Sequence, residues 1–153
     1  MTHAPIIPPL AAHGHLALTE QELIDWGEGF GRMAKAPLVV TIAGELGAGK
    51  TTLVQAICRG YGVRDEVTSP TFALVHRYDA PASPVYHLDL YRLDSPTELT
   101  NIAWDEIVSD EAIVLIEWPE RAGERIPRVH VPIALQHLPT DPTRRLLYAG
   151  GHV

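Results

Sequence analysis

One run of eight residues restricts this chain more than any other: Gly44-Glu45-Leu46-Gly47-Ala48-Gly49-Lys50-Thr51. It matches the phosphate-binding pattern of Gly, four residues, then Gly-Lys-Ser/Thr at every required position. The pattern works only between a buried strand and a helix, and its flanks supply both. Leu38-Val39-Val40-Thr41-Ile42-Ala43 is short, apolar and rich in branched residues, as a strand covered on both faces must be. Thr52 to Arg59 follows, with Leu53/Ile57 and Val54/Cys58 four residues apart, which predicts a helix. The three glycines let the backbone wrap a phosphate with its N–H groups turned inward. The helix start adds unpaired N–H groups and the positive end of its dipole. Lys50 supplies a charge to the β and γ phosphates, and the Thr51 hydroxyl can ligate Mg²⁺.

The rest of the chain must build a sheet around that unit. Residues 1–14, rich in Pro, Ala and His, read as a loose N-terminal arm, leaving 15–153 as a single domain. His15 to Leu18 suits a short edge strand. Thr19 and Glu22 form a capping box, and Leu23, Trp26, Phe30 and Met33 recur at helical spacing behind it. Gly27, Gly29 and Gly31 read as weak points in that helix. Gly60-Tyr61-Gly62 stops the loop helix. Ala73–Tyr78 and Val85–Tyr91 make an antiparallel pair around a Pro-rich reversal, so the sheet is mixed. A helix is predicted within 92–109, capped by Ser95. A strand is predicted over 112–116, and a closing hairpin over 130–135 and 145–148. The expected fold is α/β, a P-loop NTPase-like three-layer sandwich with a mixed sheet.

Hydrolysis needs a placed metal and a placed water. In parallel sheets, ligands sit at the carboxyl ends of the strands. Glu117 ends the apolar run 112–116, which puts it in the place of a Walker-B carboxylate; the competing reading is a surface acid beyond a core strand. Asp89 interrupts an otherwise apolar strand. It either orients the attacking water or metal shell, or it is a structural partner of Arg92 or a backbone amide. Thr71, after Pro70, is either a γ-phosphate sensor or a turn hydroxyl. Trp118 packs on nucleotide or walls the site, and His87 reads as a hydrogen-bonded structural histidine.

Charge bears on partners. The net charge of −7 argues against nucleic-acid binding by the chain alone. The late arginines 121, 125, 128, 144 and 145 are either a local basic surface or scattered solvated charges. No run approaches the roughly 20 apolar residues of a membrane span, the N-terminus has no secretory pattern, and Cys58 is the only cysteine. A cytoplasmic location is therefore expected.

Taken together, GELGAGKTT (44–52), SPTF (69–72), HLDLYRL (87–93) and IEWPER (116–121) occur in the order and with the gaps of one family. The chain resembles the bacterial TsaE family, also called YjeE, over about residues 16–150. The resemblance implies a small ATPase, weak alone, needed for threonylcarbamoylation of adenosine 37 in tRNAs reading ANN codons. It implies ATP and Mg²⁺ as cofactors, held at Gly47, Ala48, Gly49, Lys50, Thr51 and Thr52, with Thr51 and Glu117 on the metal. It places Glu20 near the nucleotide and links Asp89 and Thr71 to activity. An arginine near the last strand touches nucleotide in the family; Arg144 or Arg145 would fill that role here, and Arg145 is the expected contact. The implied partners are TsaB-like and TsaD-like proteins, with tRNA reached only through the complex.

Two other classes compete. A small-molecule kinase needs an Arg-rich lid and an acceptor-binding insertion, and no segment is long enough for either. A GTPase switch needs Asp two residues after a guanine-reading Lys, and neither Lys35 nor Lys50 has one. A nucleotide-binding module without turnover is the remaining alternative.

Overall fold

Among the described residues, seven strands form one sheet, in the spatial order 15–19, 144–149, 131–137, 38–44, 113–117, 85–89, 75–78. A computed structural model describes residues 15–68 and 74–149. The arm at 1–14 and the SPTF segment with Thr71 lie outside the described residues. The strands are β1 (His15–Thr19), β2 (Leu38–Gly44), β3 (Val75–Tyr78), β4 (Val85–Asp89), β5 (Ile113–Glu117), β6 (Val131–His137) and β7 (Arg144–Ala149). The helices are α1 (Glu20–Met33), α2 (Lys50–Tyr61) and α3 (Trp104–Val108), with 3-10 segments at Pro96–Ile102 and Pro119–Arg125. β2 runs parallel to β5 and β6, and β5 runs parallel to β4, while β1/β7, β6/β7 and β3/β4 are antiparallel. The mixed sheet is therefore as expected, with β1 at one edge.

The two faces of the sheet make three layers. Val40 and Ile42 of β2, with Ile113 and Leu115 of β5, meet Leu23 and Phe30 of α1 and Val54 and Ile57 of α2. The alternate residues Val39, Val114 and Ile116 face the other way, onto Leu99, Trp104, Ile107 and Ala122. A central strand buried on both faces is apolar at nearly every position, which is why 38–42, apart from the buried Thr41, and 112–116 show no alternation.

Three local expectations change. Gly27 and Gly31 are contact points in α1, not merely weak points. A Cβ on Gly31 would lie 2.2 Å from the Ile57 carbonyl oxygen, and one on Gly27 would lie 2.7 Å from Ala56 Cβ. Gly60 of α2 repeats this from the other side, 2.1 Å from the Glu28 carbonyl. Helix propensity is sacrificed so that two backbones can touch. The helix expected within 92–109 divides at Ala103, whose left-handed backbone (φ 58°) ends the 3-10 segment and begins α3. Thr97, Thr100 and Asn101 are poor helix formers and do not resist that break. The Ser95 cap is present, with Glu98 closing the box. Finally, β4 ends at Asp89, and Tyr91 already lies in a turn. Asp89 is thus at the strand's carboxyl end rather than within it.

Candidate nucleotide and metal site

The loop joins β2 to α2. Gly49 precedes the helix with φ 103°, a left-handed angle that strains any side-chain residue. Gly44 is crowded, since a Cβ there would lie 2.5 Å from the Leu135 carbonyl oxygen of β6. The first N–H groups of α2 open onto a cavity of about 350 Å³ lined by Leu46, Gly47, Gly49, Lys50, Thr51, Thr52, Asp89, Tyr91, Glu117 and Trp118. A wider recess of about 860 Å³ adjoins it and shares Leu46, Tyr91 and Trp118.

Sheet register explains why the acids arrive there. Glu117 pairs with Ile42 of β2 on one side and with Asp89 of β4 on the other. All three strands are parallel, so both carboxylates emerge at the edge where the loop begins. Glu117 is only 2% exposed, so it is not a solvated surface acid. Its Oε2 lies 2.5 Å from Nε2 of His87, itself fully buried. Asp89 Oδ1 accepts from the Tyr91 backbone N–H at 3.0 Å, so part of the carboxylate shapes the turn after β4.

Lys50 folds back on its own loop. Its Nζ donates to the carbonyls of Gly44 (2.6 Å) and Glu45 (2.8 Å) and sits 4.3 Å from the centroid of the Trp118 ring. Burial pushes its ammonium below the ordinary value, against the opposing pull of the Glu117, Asp89, Glu120 and Glu45 carboxylates. Four acids around one cation would repel a bare polyphosphate. A divalent cation removes that conflict, and the local donors suit a hard one: a hydroxyl from Thr51 and carboxylate oxygens from Glu117 and Asp89. Among the described residues no three His, Cys, Asp or Glu side chains form a complete metal cage. Two carboxylates and a hydroxyl are donors of the kind Mg²⁺ takes, the rest of its shell being filled by phosphates and water.

The other expected site residues divide. Gly47, Gly49, Thr52 and Trp118 line the cavity, and Ala48 is buried beneath it. Trp118 holds a left-handed backbone (φ 57°) that turns the chain sharply after β5. Glu20 opens α1 as an exposed residue and is not among the lining residues. Of the two arginines, Arg144 is engaged elsewhere, with Glu22 at 3.2 Å and Asp141 at 3.5 Å. Arg145 reaches the Gly47 carbonyl at 3.5 Å, beside the loop. Arg121 and Arg125 also bond separate carbonyls, of Leu93 and Pro96, which favours scattered charges over a basic patch. The sequence reading missed the His87–Glu117 pair. Its only signal is the shared side-chain parity of 87 and 89 with 117 once β4 and β5 are known to be parallel.

Similarity to known proteins agrees with this geometry. The family model described as "Threonylcarbamoyl adenosine biosynthesis protein TsaE" matches residues 17–146. The tRNA threonylcarbamoyladenosine biosynthesis protein TsaE of Treponema pallidum is 36% identical over 129 residues, covering 84% of this chain and 94% of that one. The protein of the same name from Mycobacterium tuberculosis is 34% identical over 140 residues, 86% of this chain and 83% of its own. The crystal structure of Bacillus subtilis YdiB superposes with a TM-score of 0.71 at 25% identity, covering 89% of this chain and 85% of that one. A family match across the phosphate loop, both cavity acids and all but the last residues of β7 leaves one conclusion: the chain belongs to the TsaE family.

Proposed function

We propose that this protein binds ATP with Mg²⁺ and hydrolyses it slowly as part of threonylcarbamoyladenosine formation at position 37 of tRNA. The observation that carries this is the meeting of Thr51 and Glu117, 66 residues apart in sequence, in one cavity at the start of α2. Relatives named for tRNA threonylcarbamoyladenosine biosynthesis support the pathway. The loop N–H groups and Lys50 would hold the phosphates, Thr51 and Glu117 the cation, and Asp89 a water or the outer metal shell. A cation held there would neutralise charge developing on the phosphoryl oxygens. Lys50 leaves the Gly44 and Glu45 carbonyls to reach the phosphates, and Trp118 walls the cavity from solvent. Thr71 is proposed as the γ-phosphate sensor, Arg145 as a contact from the last strand, and Glu20 as a contact from α1.

The chain's partners are proposed to be TsaB-like and TsaD-like proteins in the cytoplasm, with tRNA reached through them. Among the described residues, no helix is long and apolar enough to cross a membrane. The test is ATP hydrolysis by the pure protein, wild type and Glu117→Ala, with and without those partners and tRNA. Slow Mg²⁺-dependent turnover that the partners raise and Glu117→Ala removes is expected. Wild-type turnover in Glu117→Ala would exclude Glu117 as a metal ligand. No turnover under any condition would leave the nucleotide-binding module as the function.

A further inference from the structure

We infer that His87 is a positioning residue that holds one carboxylate oxygen of Glu117 and thereby aims the other at the cation bound with nucleotide. The inference rests on the metal–nucleotide reading above and adds a residue to it.

The position of His87 explains how it does so. It sits in the middle of β4, paired with Leu115 of β5 on one side and His76 of β3 on the other. Glu117 is two residues beyond Leu115 and projects from the same face of the sheet. The two side chains therefore meet on the diagonal, below the cavity floor. Nε2 and Oε2 are 2.5 Å apart, with His87 fully buried and Glu117 2% exposed. The other ring nitrogen, Nδ1, is buried with no hydrogen-bond partner.

That orphan atom separates a working histidine from a packing one. The neighbours of His87 along the strand, Val85 and Leu88, are fully buried aliphatics. An aliphatic side chain at 87 would fill the space without burying an unsatisfied polar atom. The half-satisfied ring is explained by its satisfied half, the bond to Glu117. A glutamate side chain has several staggered rotamers, and a bond to one carboxylate oxygen selects among them. Partners that fix metal-ligating groups in this way change metal affinity by roughly 10–100-fold when removed.

The test uses ADP and Mn²⁺ with the wild-type protein and the His87→Leu, His87→Gln and His87→Asn variants. A Gln amide can place an N–H near the lost Nε2; the shorter Asn cannot. Thermal melting establishes folding, calorimetry in EDTA gives metal-free ADP affinity, and electron paramagnetic resonance gives Mn²⁺ affinity of the ADP complex. Metal-free ADP affinity is expected to stay within about twofold in all variants. Mn²⁺ affinity is expected to fall about tenfold or more in His87→Leu and His87→Asn and to recover largely in His87→Gln. Where His87→Leu does not fold, the Gln and Asn pair decides. Mn²⁺ affinity unchanged in the folded variants, or equally weakened in Gln and Asn, overturns the proposal. Failure of the wild-type protein to bind ADP would instead overturn the nucleotide reading, and this proposal with it.

Discussion

The ammonium of Lys50 lies 4.3 Å from the centre of the Trp118 ring while bonding the carbonyls of Gly44 and Glu45. A phosphate entering the loop competes with those two carbonyls for the same charge. Lys50 must then move relative to the indole, which is only partly buried. Tryptophan emission is therefore expected to change on adding ADP. Trp118→Phe should abolish that change, because Trp104 is almost fully buried, against the far face of the sheet, and Trp26 packs on Phe30 within α1. An undiminished change in Trp118→Phe would contradict the coupling.

Arg145 and Arg144 should behave differently despite being neighbours. Arg145 approaches Gly47 of the loop, whereas Arg144 braces the start of α1 through Glu22. Arg145→Ala is expected to weaken ADP binding about tenfold, the scale of one charge-assisted hydrogen bond. Arg144→Ala should leave ADP affinity within about twofold. Calorimetric titration of both variants checks this, and the reverse ranking would exchange their roles.

Glycine substitutions in α1 should have opposite signs. Gly31→Ala forces a methyl against the Ile57 carbonyl at 2.2 Å, so the helices must separate. A loss of about 2–3 kcal/mol is expected from that overpacking. At Gly29 the nearest atom to a new Cβ is a flexible Arg32 nitrogen at 3.7 Å. Gly29→Ala should gain roughly 0.5–1 kcal/mol from helix propensity alone. Denaturant unfolding of the pair measures both.

Burial raises the thiol of Cys58 from its ordinary 9.0 to about 12, with Arg59 pulling weakly the other way. The folded chain thus keeps a proton that the unfolded chain releases. The sign follows: this contribution to stability is complete below about pH 9 and is lost as pH climbs toward about 12. Cys58→Ala should flatten the alkaline part of the stability curve, measured by urea unfolding between those limits. The folded wild-type thiol should also resist alkylation at neutral pH.

What the sequence made legible, and what it did not, divides by the range of the interaction. The phosphate loop, its flanking strand and helix, and the capping boxes at Thr19 and Ser95 are local, and their chemistry is written in adjacent residues. Glu117 was legible because a carboxylate ending an unbroken apolar run can only emerge at a strand end. Asp89 was placed within its strand, although β4 ends there with Tyr91 already in a turn, because nothing in the apolar pattern marks that end. The His87–Glu117 bond depends on β4 being parallel to β5 in one register, which no single segment specifies. Gly27 and Gly31 misled for a related reason. Their low helix propensity is local and visible, whereas the approach of α2 that requires them is not. The contrast between Arg144 and Arg145 needed the position of Glu22, more than a hundred residues away.

The most direct test is a calorimetric titration of a non-hydrolysable ATP analogue with Mg²⁺ into the wild-type protein and Lys50→Ala. One saturable site in the wild type, weakened about 100-fold or more in the variant, is the expected result. Equal affinity in the two proteins would contradict a phosphate site built on Lys50 and the backbone amides at the start of α2.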